Sequence, residues 1–288
     1  MPGKLARSDD WGRDLKELLV TEFEVARGAL DDPDLTPERR IHAARRTLKR
    51  VRSLLRVLRL HLSADYERCR DRLKDAAASL AGTRDLDVMA ATAESLKARA
   101  PNRLKLAMTE IATRLRREAE AAHVAETPTG RAAALLDAAL DEARELGDPE
   151  DGRALFEDEL VRAYKAARRA MAEARANVAE DHLHEWRKRV KHQWHLSRFA
   201  EGGSEATGKK TVKRLDTLGE LLGIEHDHAV LAARLIDDPL MAGDGPTADR
   251  VHEVIDARRA KLQKKAFKLG AKLYAEPPKA FRRRARLD

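Results

Sequence analysis

An all-α fold is what the sequence predicts, and three observations predict it. Apolar residues recur at three–four spacing through nearly the whole chain. No stretch alternates apolar and polar residues over the length of a strand. Ala, Leu, Arg, Glu and Asp dominate, while aromatic residues make up only 4% of the 288 positions. A hydrophobic content of 43% at helical spacing argues against disorder. The length suits one large domain or two small ones.

The elements follow in order from this spacing and from the Gly and Pro punctuation between them. A first helix over 10–30 closes at "DDPDLTP". Thr36 before Pro37 is an N-cap followed by proline at the first helical position, and it opens a helix over 37–62. Helices over 64–81 and 84–99 are divided by "AGT", and one over 101–126 ends at "ETPTG". Helices over 129–146 and 152–176 are divided by "GDPEDG". A helix over 180–200 runs into "EGGS", and helices are predicted over 205–222 and 226–237. After "DDPLMAGDGP" comes a helix over 246–275, and the final "FRRRARLD" is expected to be a loose tail.

The chain repeats itself. A displacement of 142 positions carries His42 onto His184, Arg45 onto Arg187, Arg46 onto Lys188, Lys49 onto Lys191 and Arg56 onto Arg198. The same displacement sets "LAGTRDLDV" (80–88) on "LGIEHDHAV" (222–230), so that Arg84 meets His226 and Asp85 meets Asp227. With one residue of slippage, "FEVARGAL" (23–30) aligns with "YKAARRAM" (164–171), pairing Arg27 with Arg168. Three segments in one order predict a duplicated helical unit, 1–145 and 146–288, folded as two similar bundles.

The charge is unevenly placed. There are 57 Lys and Arg against 49 Asp and Glu, a net +8 that favours an anionic partner. In "IHAARRTLKRVRSLLRVLR" (41–59), Ile41, Ala44, Leu48, Val51, Leu55 and Leu58 make an apolar stripe that continues to Leu62. His42, Arg45, Lys49, Arg52, Arg56 and Arg59 make a second stripe about a quarter-turn away, where a groove between helices would lie. Successive cations stand about 5.4 Å apart along it. Between Glu38 and Asp65 there are nine basic residues and no acid. Ordinary solvated faces mix signs, because like charges one turn apart destabilise a helix; this run predicts a polyanion ligand. "LHEWRKRVKHQWHLSRF" (183–199) keeps the pattern in the second half. Weaker candidates are Lys261, Lys264 or Lys265, Lys268 and Lys272 in an acid-free stretch from 257 to 275, and Arg162, Lys165, Arg168 and Arg169 near Tyr164.

With His42/Arg45/Lys49, His184/Arg187/Lys191 and the turns "LAGTRDLDVM" and "LGIEHDHAV", both halves of the chain resemble the CHAD domain family, the conserved-histidine α-helical domains. The resemblance implies a single CHAD domain over 1–288, folded as two pseudo-symmetric four-helix bundles around a basic central channel. It also implies a non-catalytic binder of inorganic polyphosphate at cytoplasmic polyphosphate granules. The polyphosphate contacts expected are His42, Arg45, Arg46, Lys49, Arg52, Arg56, Arg84, Arg168, His184, Arg187, Lys188, Lys191, His195, Arg198, Lys261, Lys265 and Lys268. The chain departs from the family pattern at Ala81, at "EHDHAV" and at Trp194, which stands where the first half has Arg52, so fewer contacts are expected from the second half.

The chemistry suits such a ligand. Closely spaced anions need a track of cations; arginine supplies a planar fork and lysine a mobile point charge. His42 and His184 are expected to donate to phosphate oxygens and to charge more fully when a polyanion is bound. Asp85, Asp87 and Asp227 read as helix caps after Gly82 and Gly223, with a part in orienting Arg or Lys as the other reading. No metal is expected: "HLH" (182–184) points its rings about 200° apart on a helix, and His192 and His195 are crowded by Lys188, Lys191 and Arg198. Nucleic acid is the competing ligand, although single-strand binders usually add stacking aromatics, and here only Trp186 and Trp194 lie on a basic helix. No catalytic motif, cofactor, membrane span or secretory signal is expected, and the sequence points to no specific protein partner. The single cysteine, Cys69, fits a reducing, cytoplasmic setting.

Overall fold

A computed structural model of the chain describes residues 3–6, 8–62, 64–80, 84–124, 129–243 and 245–287, and every regular element among them is helical. The first helices are α1 (Trp11–Asp31), α2 (Pro37–Val57), α3 (Arg59–Leu62), α4 (Ala64–Ser79), α5 (Arg84–Lys97), α6 (Lys105–Val124) and α7 (Thr129–Glu145). The remainder are α8 (Gly152–Ala176), α9 (Glu180–Phe199), α10 (Lys209–Asp237), α11 (Gly245–Leu273) and α12 (Pro278–Arg284). Asp10 caps α1 by accepting from the Arg13 amide at 3.0 Å. α2 begins on Pro37 as its sequence predicts, without a side-chain bond from Thr36. The expected helix over 37–62 breaks after Val57, and α3 supplies its last turn.

Two apolar cores organise these helices. In the first, α1 packs on α2 and α7, and α4 on α7, while α8 and α9 pair and α9 lies along α10. This core runs without interruption from Leu5 to Leu287, across the 145/146 boundary. Trp186 of α9 is fully buried in it and stacks on Phe267 of α11, with ring centroids 5.1 Å apart. Gly270 makes that approach feasible, since a Cβ there would stand 2.7 Å from Trp186 Cζ2 and 2.8 Å from Met171 Sδ. The second core joins the α5–α6 hairpin to the C-terminal half of α10 and the N-terminal half of α11, around Leu96, Met108, Ile111, Leu115, Leu231 and Ile255.

Two differences from the expected elements bear on function. The turn expected within "LGIEHDHAV" is absent, and α10 passes straight through it. A helical glycine costs only about 1 kcal/mol relative to alanine, and Leu218, Leu222, Ala229 and Leu235 bury apolar surface on either side of Gly223. Asp227 is therefore a mid-helix residue and not a cap, whereas Asp85 and Asp87 occupy the first turn of α5. The positions 81–83, including Gly82, lie outside the described residues. The expected loose tail instead forms α12. Phe281 stacks on Tyr164 with centroids 3.9 Å apart, Arg282 pairs with Asp158 at 2.8 Å, and the Leu287 amide donates to Glu157 at 2.8 Å.

Candidate polyanion site on α2 and α9

The apolar stripe of α2 is buried along its length, from Ile41 at 5% exposure to Val51 at 0%. The cations around the same helix have three different fates. Arg50 turns inward and pairs with Glu22, which is 1% exposed, while also donating to the Gly3 carbonyl at 3.3 Å and lying over the Phe199 ring. Arg45 donates to the carbonyls of Ala77 (3.1 Å) and Leu80 (2.9 Å), satisfying the C-terminal end of α4. Arg46, Arg52 and Arg56 have no ion pair among the described residues; Arg46 and Arg52 are exposed and Arg56 is half-buried. His42 and Lys49 are also exposed on this side.

Arg52 has an environment of its own. It keeps access to solvent, yet surrounding protein desolvates it and lowers its guanidinium pKa, with Arg56 and Arg45 lowering it further. Its charge is thus open to solvent on one side while protein and like charges crowd it on the other. Like-charged neighbours around it would be repelled without an anion.

On α9, His184, Arg187, Lys191, Trp194 and Arg198 follow one stripe and are half-buried. Lys191 Nζ is 4.5 Å from the centre of the Trp194 ring and 3.5 Å from Asp216. Gly219 leaves room for it, since a Cβ would lie 2.8 Å from Lys191 Cε. Arg198 is paired with Glu201, and Lys188 with Glu185 at 2.5 Å. The stripes of α2 and α9 meet over His195. That ring is 6% exposed and its pKa is held well below the ordinary value, first by burial and then by His192, Lys191, Arg50 and Lys49. His195, expected as a polyphosphate contact, is instead a buried, neutral histidine beside these cations.

Beside it, His192 Nε2 donates to Glu159 at 2.8 Å and Nδ1 lies 3.2 Å from Ser53 Oγ, while Arg162 holds the other Glu159 oxygen at 2.8 Å. This buried line clamps α2, α8 and α9 together. Further along α9, the His184 ring lies 4.5 Å from the His226 ring of α10. The sequence reading missed His226 as a partner of the site because "EHDH" looked like a turn; a continuous helical register through Gly223 is the signal that brings it beneath His184.

The remaining candidates do not converge on α2 and α9. Arg168 donates to the Tyr274 carbonyl at 3.2 Å. Lys261, Lys265 and Lys268 are exposed, whereas Arg259 and Gln263 on the other side of α11 both bond the buried Glu225. The three lysines thus face outward, about half a turn from that contact. The Arg84 side chain lies outside the described residues. A surface cavity lined by Asp9, Asp10, Trp11, Glu150, Asp151 and Arg153 opens at the starts of α1 and α8, and its carboxylates oppose an anion. Among the described residues, no group of three or more His, Cys, Asp or Glu is placed to hold a metal ion, and no helix is long and apolar enough to cross a membrane.

Burial makes stability depend on pH. His184, His192, His195, His226 and His228 all have pKa values lowered first by desolvation, His226 to about 4. Between those values and the ordinary 6.5, the unfolded chain binds more protons than the folded one, so stability is present above 6.5 and lost on acidification. Urea unfolding should show the midpoint falling as pH is lowered from about 7.5 to 5.5. A midpoint that stays level or rises over that interval would contradict this burial.

Fold and site together define an all-helical protein that carries a stripe of cations on each of two helices, α2 and α9. The CHAD domain family matches residues 13–236, and the chain belongs to that family. A crystal structure of the CHAD domain from the plant Ricinus communis is similar over 99% of this chain and 92% of that one, with a TM-score of 0.53 and 18% sequence identity. At that identity the likeness speaks for the fold. No curated protein matches the sequence.

Proposed function

We propose that the chain binds inorganic polyphosphate, without catalysis, along the cations of α2 and α9. The observation that carries this reading is Arg52 with Arg56: neither has an ion pair among the described residues, and Arg52 is exposed yet desolvated beside Arg56 and Arg45. Guanidinium groups left unneutralised beside one another, as Arg52 and Arg56 are, repel until an extended anion lies against them. Family membership supports the same ligand class. The proposal extends to a duplicated origin of the two halves, to a basic channel between them, and to residence in the cytoplasm at polyphosphate granules.

Ser53, His192 and Glu159 stand in the order of a hydrolytic triad. Ser53 is 4% exposed and its hydroxyl donates to the Lys49 carbonyl at 3.1 Å, so we assign this line to holding the helices and not to chemistry.

Nucleic acid is the competing ligand. Trp186 is fully buried and Trp194 is covered by Lys191, which leaves the stripe on α9 without a stacking platform. Competition at matched phosphate concentration and fixed salt tests the choice: polyphosphate should displace labelled DNA or RNA, with affinity falling steeply as salt rises. Equal affinity for nucleic acid would transfer the site to that ligand.

A further inference from the structure

Three nitrogens that are close together in the fold have no hydrogen-bond partner among the described residues although protein encloses them: His184 Nδ1 and Arg187 Nε on α9, and His226 Nδ1 on α10. The two imidazoles lie 4.5 Å apart and tilted, and Arg187 reaches over Gly223, whose Cβ would be 3.5 Å from its Nε. The Arg187 Nε–H can only donate, and each imidazole donates from both nitrogens once protonated. What such a group lacks is an acceptor, and an oxyanion supplies several.

Two of the carboxylates nearby are committed elsewhere. On α9, Glu185 is held by Lys188 and Arg189. On α10, Glu225 is held by Arg259 and Gln263 of α11. Glu180 at the start of α9 and Glu185 favour the charged form of His184, while Lys188 and Arg187 oppose it; Arg187 and Arg259 oppose charge on His226. α10 also carries Asp227, and α5, packed on α10, carries Asp85 and Asp87 in its first turn.

The geometry points to a proton-linked oxyanion seat formed by His184, His226 and Arg187, where an entering phosphoryl oxygen completes the missing hydrogen bonds and draws protons onto the imidazoles, so that polyphosphate binds more tightly as pH falls. The ligand class rests on the polyphosphate reading; the seat itself rests on the three unpartnered nitrogens. Neutral when empty, the ring pair avoids adding charge to a crowded basic face. Occupied, an anion offsets that repulsion and raises both imidazole pKa values.

The test follows the ring resonances of His184 and His226 against pH in the full chain, assigned with His184→Gln and His226→Gln. The chain is taken alone, with orthophosphate and with polyphosphate. Both anions should move the ring midpoints upward by about one pH unit. Calorimetry at fixed salt should show polyphosphate affinity rising as pH falls below about 6, by at most about tenfold per ring for a one-unit shift, with the His226 share of that slope lost in His226→Gln. Ring titrations unchanged by either anion overturn the seat even where polyphosphate binds. Rings that respond to orthophosphate in a chain that ignores polyphosphate keep the seat and overturn the wider binding reading. Because the ring titration is made on the unaltered chain, it decides the matter even if a variant folds poorly.

Discussion

The double variant Arg52→Glu/Arg56→Glu is expected to lose polyphosphate affinity by about 100-fold or more, with circular dichroism and the urea midpoint unchanged. The size follows from losing two charge-assisted contacts worth about 1.5–3 kcal/mol each, to which each new carboxylate adds repulsion. Stability should survive because neither guanidinium has an ion pair among the described residues and Arg52 is accessible to solvent. The exchange ends the repulsion of Arg52 by Arg45 and replaces that between Arg52 and Arg56 with a similar one between two glutamates one turn apart. Arg45 is left out of the test deliberately, since it bonds the Ala77 and Leu80 carbonyls and its loss would disturb the end of α4. Filter binding or anisotropy with labelled polyphosphate at fixed salt provides the measurement. Retained affinity in a folded variant would remove α2 from the ligand site, and collapse of the helical signal would make these side chains structural.

Arg50→Ala is expected to do the reverse: to destabilise the fold by about 3–5 kcal/mol while leaving ligand affinity, measured on the folded fraction, within about threefold. Arg50 shares its helix with Arg52, two residues away, but points about 200° around the axis into the first core. There it neutralises Glu22, whose carboxyl pKa burial already raises and Arg50 restrains. Removing the guanidinium strands that carboxylate in apolar surroundings beside Phe199. Replacing both partners with Arg50→Met/Glu22→Leu should recover most of the loss, because the cost lies in leaving one charge unpaired. A small loss of stability for Arg50→Ala, combined with a large loss of binding, would place Arg50 among the ligand cations instead.

These two arginines mark how far the sequence could be read. The stripes of α2 and α9 were legible because helical periodicity is a local property, and Ile41 through Leu62 are buried as their spacing predicts. Family membership was legible for the same reason, since His42/Arg45/Lys49 and their counterparts are short-range patterns. What each cation does was not legible. The fate of Arg50 is set by Glu22, 28 positions earlier, and that of Arg45 by carbonyls more than 30 positions later. Lys261, Lys265 and Lys268 looked like a third element of one site, but their helix turns its other side to Glu225. Gly223 suggested a turn, and only long-range burial of its neighbours keeps α10 straight and delivers His226 to His184.

α10 and α11 each contribute side chains to both apolar cores. A rod shared by two bodies transmits displacement between them like a lever, and His226 sits near its fulcrum, between Leu222 in one core and Leu231 in the other. Were an anion to draw α9 and α10 together, the shift would be carried toward the α5–α6 hairpin by a helix unbroken between Leu222 and Leu231.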